Sequence, residues 1–320
     1  MGFDLGLYRN DEFTEKLMDT IVDFAFGYHT GILKQYDRRK LKEAAKSIYK
    51  VTGFSEIKKI YVDDESEIFD CELSVEDKYL KRGEFGEMIL HLILRDNFDT
   101  VPLLSKMHFK DTDSATVHGF DIVHIGDDPK NNDHQTLFLG ESKLYSRKDD
   151  KAGVNGIDDL IEDIKYHFKK DFLLREIALI AKKKNSFEAI EDYSDSNTAQ
   201  EYQAFLNKKQ YWFEVFEQIE KGHKKLQDLF NSITIPLVCT YQSRIFDGIN
   251  DEGSKEFLDA YASEIKLLKS RFDKKLLALG SEIGEPVKTN LNIILILFPI
   301  PSKKQLINAL HKKLTAQQNA

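Results

Sequence analysis

Asp121, Glu141 and Lys143 are the residues of this 320-residue chain whose types and spacing could hold a hard metal ion against a phosphate. The apolar run Leu137-Phe138-Leu139-Gly140 delivers Glu141-Ser142-Lys143. In a β-strand successive side chains alternate, so Glu141 and Lys143 share a face while Ser142 points the other way. The preceding run, His118 to Ile125, reads as a second strand ended by the turn Gly126-Asp127-Asp128-Pro129, and a hairpin would set Asp121 beside Glu141. Hydrolysis of a phosphodiester needs a positioned nucleophile, neutralisation of charge on the phosphate and a stabilised leaving oxygen, all of which a divalent cation can supply. Mg2+, with Mn2+ as its substitute, takes oxygen ligands, which Asp121, Glu141 and the backbone carbonyl of Ser142 would provide. Lys143 would orient the attacking water or stabilise transition-state charge.

A fourth member would come from the helix that begins near Gly83 and continues to Leu94, apolar around most of its circumference and therefore expected to be buried. Glu84 and Glu87 stand at its start, and carboxylates rarely enter a core unless paired or metal-bound. Glu87, deeper in the helix, is the preferred ligand, although attraction of acids to a helix N-terminus would account for either residue. The tripeptide alone selects nothing, because Glu56-Ile57-Lys58, Glu76-Asp77-Lys78 and Glu264-Ile265-Lys266 match it as well. Only Glu141 combines a buried-looking strand, an acid in a neighbouring strand and an acid-bearing helix upstream. The structural alternative is an ion pair on a strand surface, worth at most about 1 kcal/mol.

The elements that must position these residues follow from periodicity. Residues 1–80 read as an independent α/β segment with helices around Asp11 to Phe26 and Asp37 to Val51, a β-like piece near Ile57 to Val62 and a solvated acidic run from Asp63 to Glu67. Residues 81–320 would hold the main domain, with a helical insertion at about 171–230. A polar loop from Lys143 to Gly156 carries Arg147, Lys148 and Lys151, which could bind DNA backbone phosphates, and an amphipathic helix from Ile157 carries Lys165, which could also reach one. Pro236 gives the strand Ile233 to Tyr241 either a sheet edge or an irregularity, whereas the nearly continuous apolar run Leu291 to Phe298 belongs in a sheet centre. His118, His124 and His134 lack zinc-ligand spacing and suit hairpin packing or solvent, and the aromatic group around Trp212 suits a core or a protein interface. No glycine-rich phosphate loop occurs, so ATP hydrolysis by this chain is not expected.

Composition bounds these readings. A hydrophobic fraction of 41%, a charged fraction of 31% and a net charge of -8 describe a globular chain that must contact nucleic acid through a local basic surface. Two cysteines, Cys71 and Cys239, cannot build a disulfide framework or a four-cysteine zinc site. The N-terminus lacks a signal-like core and no apolar run reaches membrane-spanning length, so the expectation is a cytoplasmic protein with no membrane contact.

The order of Arg82-Gly83-Glu84-Phe85-Gly86-Glu87, His118-Gly119-Phe120-Asp121 and Leu139-Gly140-Glu141-Ser142-Lys143 resembles the PD-(D/E)xK nuclease superfamily, and more narrowly the HamA family of Hachiman anti-phage systems. The resemblance rests chiefly on residues 82–170, and Phe120 stands where the superfamily often has proline. It implies an α/β (α+β) restriction-endonuclease-like core, a mixed β-sheet flanked by helices. It also implies metal-dependent DNA cleavage of little sequence specificity, with Asp121, Glu141 and Lys143 in the three motif positions and Glu87 in the helix-acid position. A partner helicase, HamB, is implied as well. Two competing classes are a non-catalytic adaptor that binds DNA or a helicase and a sequence-specific restriction-type endonuclease.

Overall fold

The computed structural model describes residues 2–27, 38–49, 83–104, 110–112, 115–116, 119–146, 151–167, 169–182, 196–282 and 292–319. The β-like piece at 57–62, the acidic run at 63–67, Cys71, Arg82, His118, Arg147 and Lys148 lie outside these residues. Five strands form a mixed sheet: β1 (Val101–Leu104), β2 (Ile122–Asp128), β3 (Asn131–Tyr145), β4 (Ile233–Gln242) and β5 (Asn292–Ile300), in that spatial order. β1, β2 and β3 pair antiparallel, and β3, β4 and β5 pair parallel. The helices are α1 (Asn10–Met18), α2 (Ile21–Phe26), α3 (Arg38–Ile48), α4 (Glu84–Phe98), α5 (Ala152–His167), α6 (Lys170–Lys182), α7 (Ser196–Glu220), α8 (Leu226–Phe230), α9 (Lys255–Glu282) and α10 (Lys303–Asn319).

Alternation along β3 fills the two faces of the sheet. Leu137 and Leu139 enter a core shared with Ile157, Leu160 and Ile164 of α5 and with Trp212 and Phe216 of α7. Phe138 enters a second core with Phe85, Ile89 and Leu90 of α4 and Leu306 and Leu310 of α10. The aromatic group around Trp212 is therefore core, although Tyr211 stays exposed. Phe13 and Leu17 of α1, Val22 of α2 and Ile48 of α3 join the second core, so helices from the first 80 residues pack with helices that follow them. Among the described residues no helix is long and apolar enough to cross a membrane.

Three expectations are corrected and one is resolved between its alternatives. The helix over residues 11–26 divides at Asp19–Thr20, where the Thr20 hydroxyl donates to the Leu17 carbonyl at 2.8 Å and draws that acceptor from the helical ladder. Of the two readings of Pro236, the irregularity holds and the edge does not: the strand lies inside the sheet, and the β3–β4 pairing runs through Phe138↔Thr234, resumes at Glu141↔Leu237, and so skips the stretch where the missing N–H would fall. β5 takes the edge instead of the centre. Its apolar run has a two-sided cause, since Ile293, Leu295 and Leu297 pack on one core and Ile296 and Phe298 on the other. Finally, β3 runs on to Tyr145 and α5 starts at Ala152, which leaves a connection much shorter than the loop read from Lys143 to Gly156.

Glycine explains that early start. Gly153 and Gly156 weaken a helix in isolation, but here they let α5 lie close on β4 and α9: a Cβ at 153 would stand 2.9 Å from Leu268 Cδ1 of α9 and 3.1 Å from Tyr241 of β4, and one at 156 would collide with the buried Cys239 sulfur. Gly156→Ala is expected to destabilise the protein by about 1–3 kcal/mol through overpacking. Urea unfolding at neutral pH measures this, and an unchanged midpoint would contradict the close approach.

Candidate active site

The β2–β3 hairpin brings the motif acids together. Its register pairs Ile122 with Gly140, a two-residue turn at Pro129–Lys130 closes it, and the Asp121 N–H donates to the Gly140 carbonyl at 3.1 Å. Asp121 thus sits at the mouth of the hairpin, one residue before β2. Its Oδ2 accepts from the Ser142 N–H at 2.7 Å and from the Ser142 hydroxyl at 2.8 Å. Ser142 faces α4, where Gly86 permits the approach: a Cβ at 86 would stand 3.3 Å from Ser142 Oγ.

Glu141 and Lys143 point to the opposite face, toward α5. Glu141 is 2% exposed, and its Oε1 lies 2.6 Å from His167 Nδ1. Lys143 Nζ lies 2.6 Å from Asp163 Oδ2. Burial pushes the Glu141 carboxyl well above the ordinary carboxylate range, and the charges of Asp121, Asp163 and Glu87 push it further against the opposing pull of Lys143. Burial alone would lower the Lys143 pKa, but Asp163, with Asp121 and Glu141, outweighs it and holds the ammonium protonated. At Asp163 burial outweighs the same pairing, and its carboxyl is raised. Burial lowers the His167 pKa despite the nearby acids.

Glu87, on the first turn of α4, is 8% exposed and near enough for its charge to act on Glu141, whereas Glu84 is only half-buried. Lys151 is exposed just ahead of α5. Lys165 is two residues from both Asp163 and His167, which puts it around the helix from the face they share. His124 is buried against His91 and Thr100 in the hairpin's packing, and His134 is exposed.

Asp163 and His167 are the members that sequence reasoning missed. A signal for them exists: His167 continues the buried stripe Leu160–Ile164 at helical spacing, and Asp163 falls three residues after Leu160, so two polar groups stand where apolar ones would be expected.

Chemically, the site offers oxygen donors around one ammonium, and four carboxylates within mutual influence make an excess of negative charge that a cation would relieve. Among the described residues no three His, Cys, Asp or Glu side chains close on one point as a finished metal cage. Asp121 and Glu141 instead each commit an oxygen to protein groups, Ser142 and His167.

Comparison with curated proteins and with solved structures finds no significant match. A family model described as HamA matches residues 1–314, nearly the whole length that carries these strands and helices, and the chain belongs to the HamA family.

Proposed function

We propose that this protein is a metal-dependent DNA nuclease of Hachiman anti-phage defence, cutting phosphodiester bonds with little sequence specificity under the control of a partner helicase, HamB. Family membership supports the defence role. The observation that carries the nuclease reading is the meeting of Asp121, Glu141 and Lys143 at the mouth of one hairpin, with Glu87 close enough to disturb Glu141.

Asp121, Glu141, Glu87 and the Ser142 carbonyl would hold the ion, and their hard oxygens suit Mg2+ or Mn2+. When bound, such an ion supplies charge neutralisation at the phosphate and an activated water. Lys143, kept protonated by its acidic neighbours, meets the charge that grows on the phosphate in the transition state. The Ser142 amide and hydroxyl hold Asp121 in place. Lys151 and Lys165, with Arg147 and Lys148, would meet backbone phosphates and leave base edges unread.

Plasmid cleavage in Mg2+ tests this, comparing the parent with Glu141→Ala and Lys143→Ala, each alone and with the neighbouring helicase plus ATP. Both variants are expected to lose cutting while keeping their fold and their helicase binding. Parent-like cutting by both would defeat the site assignment. The engagement of Asp121 by Ser142 and of Glu141 by His167 favours one other reading, a non-catalytic adaptor, which predicts DNA or helicase binding by the parent without cleavage under any of these conditions. Discrete fragments in place of a smear would indicate a restriction-type enzyme.

A further inference from the structure

Two side chains of α5 meet the motif strand one helical turn apart. Asp163 Oδ2 stands 2.6 Å from Lys143 Nζ, and His167 Nδ1 stands 2.6 Å from Glu141 Oε1. Residues i and i+4 share a helix face and residues i and i+2 share a strand face, so the two contacts form matched rungs between α5 and β3. The imidazole is also fixed from other sides. Its ring stacks on Phe172, with centroids 4.6 Å apart and 18° between planes, and Phe120 packs edge-on against it at 5.7 Å. Phe120 is buried and immediately precedes Asp121, so the residue at the superfamily's frequent proline position forms a wall of the imidazole site. A histidine that only filled space would not need an aromatic stack, an aromatic wall and a short contact to a buried carboxylate at once.

We propose that Asp163 and His167 are positioning residues of the reaction centre, with His167 setting the Glu141 carboxylate, Asp163 setting the Lys143 ammonium, and Phe120 and Phe172 locking the imidazole. The assignment rests on the nuclease reading above. One oxygen of Glu141 is committed to His167, which directs the other; one side of the ammonium is committed to Asp163, which directs its remaining N–H groups. Groups fixed before substrate arrives need not be ordered during the reaction. The opposite possibility, that α5 holds Glu141 away from an ion, predicts an effect of opposite sign.

Calorimetric titration of the full chain with Mn2+ and steady-state plasmid cleavage in Mg2+ decide between them, using the parent, His167→Ala, His167→Asn, Asp163→Ala and Glu141→Ala. His167→Ala is expected to weaken Mn2+ binding and to lower kcat, each by about 10–100-fold. KM for DNA should stay within about twofold, because the lost interaction does not touch the duplex. His167→Asn, whose amide can donate from near the Nδ1 position, should recover most of both losses. Asp163→Ala should lower kcat about tenfold or more and weaken Mn2+ binding less than His167→Ala does, through the loss of one nearby negative charge and not of a contact to Glu141. If His167→Ala does not fold, His167→Asn and Phe120→Leu carry the test, the latter lowering kcat by removing the wall without touching Glu141. Mn2+ binding by His167→Ala as tight as the parent's, or tighter, overturns the proposal, as does failure of His167→Asn to rescue. Parent-like cleavage by His167→Ala and Asp163→Ala beside an inactive Glu141→Ala sinks the positioning roles alone. Parent-like cleavage by Glu141→Ala, or a parent that neither binds Mn2+ nor cuts, sinks the nuclease reading and this proposal with it.

Discussion

Glu141→Gln is expected to abolish cleavage and, in the absence of metal, to make the protein harder to unfold. Both effects come from the same carboxylate. Glu141 is buried beside like charges, and its pKa stands well above the usual carboxylate range through burial first and then Asp121, Asp163 and Glu87. A carboxyl whose folded pKa exceeds its unfolded value favours the fold while protonated, and that advantage is lost as pH rises from the ordinary carboxylate pKa through the folded one. Glutamine keeps the shape and cannot ionise, so the variant gains on the parent as pH rises, and the gain levels off above the folded pKa. Its size should be about 0.5–2 kcal/mol, the range in which relief of a functionally costly group commonly falls.

The activity moves the other way. The glutamine side chain offers a neutral oxygen where an anionic ligand is required, and cleavage should fall by at least about 100-fold. Mn2+ should also raise the thermal midpoint of the parent more at pH 8 than at pH 6, because metal and proton compete for the same oxygens, and it should barely move that of Glu141→Gln. Urea unfolding of both proteins between pH 5 and 8, and thermal unfolding with and without Mn2+, read all of this. A variant less stable than the parent at pH 8 without metal would show that Glu141 is not under electrostatic strain.

That Asp121, Glu141 and Lys143 meet was legible in the sequence because strand alternation and a hairpin are local: β2 runs on through Gly126 to Asp128 and the turn falls at Pro129–Lys130, later than the Gly126–Pro129 signal put it, yet the register still sets Asp121 opposite Glu141. The mixed sheet flanked by helices was legible for the same reason, as the sum of short periodic segments. Sheet order was not. Pro236 left an edge and an irregularity both open and the run from Leu291 to Phe298 suggested a centre, yet a gap in pairing absorbs the proline inside the sheet and two separate cores account for the apolar residues of β5. Those causes involve partners far away in the chain. The start of α5 was hidden by a related conflict, since Gly153 and Gly156 oppose helices locally and are needed only because β4 and α9 pack against them. Asp163 already falls within the amphipathic helix read from Ile157, where acids suit the polar face, and only the packing of α5 on β3 brings Asp163 to Lys143 and His167 to Glu141.

His91→Phe is expected to change stability little at neutral pH and to protect the protein in acid, the reverse of the Glu141→Gln pattern. His91 and His124 are both fully enclosed between α4 and β2. His124 Nδ1 lies 2.8 Å from the Thr100 hydroxyl, and His91 Nδ1 lies 3.1 Å from His124 Nε2. This chain of three groups is complete with both rings neutral. Among the described residues His91 Nε2 has no hydrogen-bond partner, so an added proton would find no acceptor there. Burial, with help from the Arg95 charge, pushes the His91 pKa down to about 3, and burial with His91 holds His124 well below the usual range. A histidine whose folded pKa is depressed contributes its stability in full above the unfolded value and loses it as pH falls toward the folded one. For His91 that window runs from 6.5 down to about 3. Each unit is worth about 1.4 kcal/mol, so by pH 4.5 the parent should have lost about 2–3 kcal/mol that His91→Phe retains. Phenylalanine keeps a ring against Phe24, whose centroid is 5.6 Å away, and removes the unpartnered nitrogen. In return it strands His124 Nε2, a cost of about 1–3 kcal/mol that offsets the gain at neutral pH. Glu141 titrates with the opposite sign in both proteins and cancels in their difference. Urea unfolding of the pair at pH 7.5 and pH 4.5 is the measurement; parallel loss of stability in both would place the acid sensitivity elsewhere than at this histidine.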